Sequence, residues 1–303
     1  MTKKVVLIGD VMLDISILGI VARVAPEAPV GVISEVSRTE NLGGAGNVFS
    51  NLVAAGIEPY FITAVGNDDE GIKVYDKVVG NIKFQRPCRV FVDESRPTTV
   101  KTRVYAYTHH IRKEILITRI DKENTNPVIS TQLINNRVSQ RIAEADYILF
   151  SDYSKGVITE ELIDLIKTIN PHAKLIADFK SFNSRYKNFY IITPNEIDVG
   201  KGLEAFDIAK AYRSLYGINY PVITRGNKGV TFLDDEGNGH NIEASNDVAI
   251  DVTGAGDTFI AYLTASLCKG YTLLDAVNIG VKAAGISVTH EGIYTVKGEE
   301  VYG

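Results

Sequence analysis

The sequence predicts an α/β fold: a doubly wound, mostly parallel sheet with helices on both faces and a small β-sheet lid over one edge. Two observations predict it. From about residue 147 onward, short apolar runs alternate with amphipathic stretches, as repeated βαβ units require. The segments 11–37 and 88–120 are extended but polar and break that alternation. They are read as antiparallel strands of the lid, placed where open α/β sheets bind ligands.

Residues 5–8 form a buried strand ended by Gly9-Asp10, and 30–36 a second extended run. Residues 41–55 open on glycines and continue as a helix closed by Gly56. A strand over 60–65 and a helix over 70–79 follow. Strands at 90–92, 98–107 and 115–120 carry the polar pattern, and 130–143 is amphipathic. Strands are then expected at 147–150, 174–177, 190–192 and 222–224, with helices at 160–169 and 206–216 between them. A hairpin joins 230–233 to 242–244 through Asp235-Glu236-Gly237-Asn238-Gly239. Apolar helices over 254–269 and 273–289 finish the core. The whole chain, 1–303, is read as one domain.

Composition narrows the function classes. A 45% hydrophobic, 23% charged chain is ordinary for a globular protein. Its net charge of −5 gives no global attraction to nucleic acid or an anionic membrane. Cys88 and Cys268 form no metal or disulfide pattern, so both are expected as reduced thiols. The first apolar run is too short for a signal peptide, and 258–268 is too short to span a bilayer. A cytoplasmic location is expected.

The stretch Asp251-Val252-Thr253-Gly254-Ala255-Gly256-Asp257-Thr258, followed by Phe259-Ile260-Ala261-Tyr262-Leu263, reads as a tight turn into a buried helix. Unpaired N–H groups and a positive dipole end suit an anion there. Asp257 beside them is placed as a base, the pairing that phosphoryl transfer needs. On its own the turn is equally a plain connection, with Asp257 a dipole partner.

Other clusters converge on the same rim. Gly9-Asp10 and Asp14 place two carboxylates after a strand, able to accept from sugar hydroxyls, or simply solvated in a turn. Gly43-Gly44-Ala45-Gly46-Asn47 opens a helix with bare backbone and an amide side chain; close helix packing is the alternative. The glycine spacing does not match a dinucleotide fingerprint. Lys101 and Arg103, two apart on a strand, share a face suited to a phosphate, with Arg23 a third basic residue; a charge-blunted edge strand is the rival reading. Ser151-Asp152-Tyr153-Ser154-Lys155-Gly156, Asp178-Phe179-Lys180, Thr193-Pro194-Asn195-Glu196-Ile197-Asp198 and Thr224-Arg225-Gly226-Asn227-Lys228-Gly229 each follow a strand, so a parallel sheet gathers them on one rim.

Gly254-Ala255-Gly256-Asp257 with Asp251, together with Gly43-Gly44-Ala45-Gly46-Asn47, resembles the two signatures of the ribokinase-like (PfkB) carbohydrate kinases. The resemblance runs over essentially the whole chain. The segments 23–30, 98–103, 119–121 and 151–156 are most similar to the heptose 7-phosphate kinases within that family, which serve lipopolysaccharide precursor synthesis. The resemblance implies an ATP- and Mg2+-dependent kinase acting on the C1 hydroxyl of D-glycero-β-D-manno-heptose 7-phosphate. Asp257 would be the base and the amides of Gly254, Ala255 and Gly256 the anion hole. Asp14, Gly43, Gly44, Asn47 and Asp152 would hold the sugar, and Lys101, Arg103 and Arg23 its phosphate. Asn195, Asp198, Thr224, Gly226, Gly229 and Lys180 would serve ATP, with Asp198 reaching Mg2+ through water. Asp251 lies near where related kinases place a monovalent cation such as K+.

The sequence departs from the family in two places. Asp198 stands where Asn-x-x-Glu is usual, and Gly46 replaces an alanine. No His-x-Gly-His nucleotidyltransferase motif occurs in the 303 residues, so the expectation is a stand-alone kinase. Exposed lid edges admit a homodimer through the lid strands. Two rival readings remain: a kinase of the same fold for another sugar or a nucleoside, and a non-catalytic sugar-binding module.

Overall fold

A computed structural model describes residues 3–80, 88–108, 111–196, 204–246 and 248–303. Strands β1 (Val5–Gly9), β4 (Tyr60–Gly66), β5 (Cys88–Asp93), β8 (Tyr147–Asp152), β9 (Lys174–Phe179), β10 (Ile191–Ile192), β11 (Tyr220–Thr224), β12 (Val230–Leu233) and β13 (Gly239–Ile242) form one sheet in the order β13-β12-β11-β10-β9-β8-β1-β4-β5. Every pairing from β5 across to β11 is parallel; the β11–β12–β13 edge is antiparallel.

Strand β1 shows why helices cover both faces. Val5 and Leu7 enter one core and Val6 and Ile8 the other, the two-residue alternation of a pleated strand. The first core also takes helices α1 (Ala45–Ala54), α2 (Asp69–Gly80), α7 (Ala255–Cys268) and α8 (Leu273–Ser287). The second takes α4 (Asn136–Ala143), α5 (Glu160–Ile169) and α6 (Ala205–Tyr216). Helix α7 is buried from Asp257 through Cys268 and mostly apolar, as an interior helix is.

A second sheet of four strands has the order β3-β2-β6-β7, from β2 (Val11–Val24), β3 (Gly31–Gly44), β6 (Val100–Thr108) and β7 (Ile111–Lys122). Asp10 alone separates β1 from β2, so the small sheet springs from the end of the central strand. Three expectations are corrected. The small sheet, expected to be antiparallel, is mixed, because β2 and β6 at its centre run parallel. Cys88–Asp93, grouped by its polarity with the small sheet, pairs in parallel with β4 at the edge of the main sheet, where one polar side is tolerated. The amphipathic stretch 130–143 is broken into α3 (Ser130–Leu133) and α4, because Asn135 caps α4 by accepting from the Val138 N–H at 3.0 Å. No helix among the described residues is long and apolar enough to cross a membrane.

Candidate active site

Strands β4 and β5 lie on one side of β1, and β8 to β11 on the other, so the winding reverses between β1 and β8. The crevice at the C-terminal ends of that pair is where open α/β sheets bind ligands. Asp10 and Asp152 stand at its floor. Asp10 is buried and accepts from the N–H groups of Tyr153 (2.8 Å), Lys155 (3.0 Å) and Val157 (3.0 Å). Burial and the neighbouring Asp152 push its carboxyl up to about 6, while the three amides pull the other way. Asp10 is thus the anchor of the 153–157 loop.

Asp152 is likewise engaged within the chain. It accepts from the Ser154 N–H at 2.7 Å and from the Tyr186 hydroxyl, with the Arg185 guanidinium 3.7 Å away. Both oxygens are thus engaged at the floor of the crevice.

Above the floor sits Asp257, in the first turn of α7 and 3% exposed. Gly254 caps the helix in the left-handed conformation at φ 78°. A Cβ there would lie 2.5 Å from Asn47 Nδ2, so glycine is needed for both conformation and space. The Ala255 N–H donates to Val252 O at 3.3 Å, and the Gly256 and Asp257 N–H groups have no acceptor within their own helix. Of the three expected amides, only that of Ala255 is paired within the turn.

Both Asp257 oxygens are held. Asn47 Nδ2 donates to Oδ2 at 3.1 Å, and the Tyr153 hydroxyl donates to Oδ1 at 2.6 Å. Asn47 is fixed in turn by Asn51, whose Nδ2 donates to Asn47 Oδ1 at 2.9 Å while its Oδ1 accepts from the Val296 N–H at 3.1 Å. Burial raises the Asp257 carboxyl to about 7, with the Asp178 charge adding to the rise; the Tyr153 and Asn47 donors and the Lys180 charge oppose it. A carboxylate poised near neutrality beside helix N–H groups can take a proton from an alcohol and tolerate the developing anion.

The small sheet closes the third side. Asp14, 7% exposed, accepts from Arg103 Nη1 at 2.6 Å across the parallel β2–β6 pair. Gly43 makes room for it: a Cβ there would stand 1.7 Å from Asp14 Oδ2. At Gly44 a φ of 57° and the nearby Asp10 carbonyl exclude a side chain. Lys101 Nζ lies 5.4 Å from the centre of the Tyr153 ring, and burial lowers its ammonium below the usual lysine range against the pull of Asp14. Arg23 is not brought to this place. It is exposed, nine residues beyond Asp14 on β2, about 30 Å away at a strand's rise.

The structure thus gathers Asp14, Gly43, Asn47, Lys101, Arg103, Gly254 and Asp257 around one crevice. The sequence profile of the pfkB family carbohydrate kinases matches residues 88–298. The chain belongs to this family.

Curated relatives match along the same length. The chain is 36% identical to the bifunctional protein HldE of Paramagnetospirillum magneticum, over 98% of this chain and 62% of that one. It is 34% identical to the bifunctional protein HldE of Helicobacter pylori strain G27, over 99% and 65% respectively. The chain therefore spans less than two thirds of the length of these relatives. Among solved structures, ribokinase of Arabidopsis thaliana in complex with ribose and ATP superposes with a TM-score of 0.74 at 18% identity, covering 100% of this chain and 98% of that one. Phosphofructokinase-2 of Escherichia coli in complex with potassium gives 0.74 at 14%, covering 100% and 97%. At these identities the likeness is one of fold, and the fold is ribokinase-like.

In this family member several of the other predicted residues lie at the neighbouring strand ends. Asn195 bridges to Thr224, whose N–H donates to Pro194 O at 3.0 Å, so the ends of β10 and β11 run together. Gly226 and Gly229 flank a short turn with φ 57° and 83°, and a Cβ on Gly229 would meet Ile242 O at 1.9 Å. Lys180 is exposed, with Nζ 4.7 Å from the Tyr153 ring centre. Asp198 lies outside the described residues. Asp251 accepts from the Thr253 N–H at 2.8 Å and the Gly292 N–H at 2.9 Å. Burial works against ionisation there, yet those donors hold the carboxyl below its usual range.

Sequence reasoning missed Tyr153 as a partner of Asp257 and Asn51 as the brace behind Asn47. Tyr153 was legible only as part of a polar cluster after a strand. Asn51 had one signal: it lies four residues, one helical turn, beyond Asn47.

Proposed function

We propose that this carbohydrate kinase transfers the γ-phosphoryl group of ATP to the C1 hydroxyl of a heptose 7-phosphate, D-glycero-β-D-manno-heptose 7-phosphate in the first instance. The observation that carries the phosphoryl-transfer reading is Asp257: buried, raised to about 7, held by two donors, and set in the first turn of a helix. Asp257 accepts the hydroxyl proton as that oxygen attacks phosphorus. The turn 254–257, with the positive end of α7 behind it, takes the charge on the phosphoryl oxygens. Asp14, Gly43 and Asn47 border the sugar, and the small sheet is the lid over it.

The substrate reading rests on the motifs that resemble heptose 7-phosphate kinases and on the similarity to proteins named HldE. Lys101 and Arg103 supply the positive face for the 7-phosphate; Arg103 then shares its guanidinium between Asp14 and the phosphate. Arg23 is left out of this clamp within one chain. Thr224, Gly226, Gly229, Asn195 and Lys180 border the nucleotide. Asn195, at the end of β10, and Asp198, through water, would serve Mg2+, which keeps most of its waters and takes its other oxygens from phosphates, so one or two protein oxygens suffice. Bound there, the ion would neutralise phosphate charge. Asp251 fits a monovalent cation such as K+: it is held ionised, and each oxygen keeps a lone pair beyond the N–H it accepts. Exposed Ile115, Leu116, Ile117 and Ile120 on edge strand β7 support a homodimer through the lid.

A panel of sugars and sugar phosphates with ATP and Mg2+ tests the substrate. Phosphorylation of heptose 7-phosphate above all others is expected; faster turnover of fructose, ribose or a nucleoside would transfer the same site to another sugar.

A further inference from the structure

Tyr153 enters the reading above only as a donor to Asp257, its hydroxyl 2.6 Å from Oδ1, and is given no role of its own there. Its position is built with some care. Asp10 accepts the backbone N–H groups of Tyr153, Lys155 and Val157. Ser154 beside it adopts φ 56°, a left-handed conformation that a non-glycine residue holds only under constraint. Arg96 ties down the far end of the loop, donating to the carbonyl oxygens of Asn124 (2.8 Å) and Lys155. Two ammonium groups approach the Tyr153 ring, Lys101 at 5.4 Å and Lys180 at 4.7 Å from its centre.

From this geometry we infer that Tyr153 is a positioning residue of the phosphoryl transfer, holding Asp257 aimed and ionised until the substrate hydroxyl arrives. The inference rests on Asp257 being the base. The hydroxyl can only donate to Asp257: burial, and the negative charges of Asp257, Asp178 and Asp14, keep the phenol protonated far above its usual range. One donor on each Asp257 oxygen fixes the carboxylate plane and leaves each oxygen a lone pair for the sugar hydroxyl. The groups acting on Asp257 are Asp178, which favours its protonation, and Lys180, Asn47 and Tyr153, which oppose it. Lys101 and Asp14 complete the set around the tyrosine. Removing the hydroxyl removes an opposing donor and leaves the burial, so the base takes up a proton at higher pH.

Tyr153→Phe in the full-length chain tests this, since the ring and both ammonium contacts survive. The parent's kcat/KM profile for the sugar should fall on the acid side with a midpoint near that of Asp257, about 7. In Tyr153→Phe that midpoint should rise by about one pH unit, the reach of one charge-assisted hydrogen bond, with kcat lowered and KM for ATP unchanged. ATP binding measured by calorimetry and the melting temperature establish that the variant is folded. An acid limb that stays in place overturns the positioning role while leaving Asp257 as the base. A parent profile flat across this range removes the base itself, and this inference with it.

Discussion

Asn47 and Asp257 stand 210 positions apart in sequence, and Asn47 Nδ2 reaches Asp257 Oδ2 at 3.1 Å. This contact joins the two glycine-rich turns that open α1 and α7. Replacing Asn47 by Ala strips one donor from the base and leaves Asn51 Nδ2 without its side-chain acceptor. We expect kcat to fall by about tenfold or more and stability by about 1–3 kcal/mol, the usual cost of an orphaned buried polar group. Steady-state kinetics with urea melts checks both; unchanged kcat would remove Asn47 from the site.

Asp257 also sets a dependence of stability on pH. Its folded-state carboxyl is raised to about 7, against about 3.9 in an unfolded chain. The folded state therefore binds the proton more tightly. This contribution is complete below the unfolded value and is lost as pH rises through about 7. Asp10, raised to about 6, acts in the same direction. Asp257→Asn abolishes the penalty of the buried anion, so its melting temperature should exceed the parent's at pH 8, with the gap closing toward pH 5. A gap independent of pH would mean that Asp257 is not raised.

The Asp14–Arg103 pair makes a different prediction for each basic residue. Lys101→Ala should raise KM for a phosphorylated sugar by about tenfold or more and leave KM for ATP within about twofold, the scale of one charged hydrogen bond lost. Arg103→Ala should do the same and also destabilise the fold by about 3 kcal/mol, because Asp14 is left buried without its cation. Equal effects on both substrates would refute the clamp.

Gly43 tests the fit of the sugar pocket. Gly43→Ala places a methyl group 1.7 Å from Asp14 Oδ2, so the carboxylate or the strand must move. KM for the sugar should rise sharply while nucleotide binding stays close to the parent's. Unaltered sugar KM would mean that Asp14 does not face the substrate.

How much of this was legible in the sequence depends on how local each feature is. The buried strand over 5–8 and the glycine turn into α7 are set by neighbouring residues, and both were read directly. The destination of Cys88–Asp93 depends on which edge is open after folding, which its short polar pattern does not encode. The loop contacts of Asp10 and Asp152 turn on partners up to 147 positions away, which the two acids after strands did not announce. Arg23 was grouped with Lys101 and Arg103 by charge; the length of β2 carries it away from them. Tyr153 came to Asp257 across 104 positions, through a loop whose shape Asp10 dictates.

The central claim is that Asp257 takes the proton from the acceptor hydroxyl. Turnover of Asp257→Asn, measured with ATP and heptose 7-phosphate beside calorimetric titrations of both ligands, tests it most directly. The account predicts turnover lower by about 10²–10⁴-fold, the range of a lost general base, with both ligands bound nearly as in the parent. Turnover close to the parent's would contradict it.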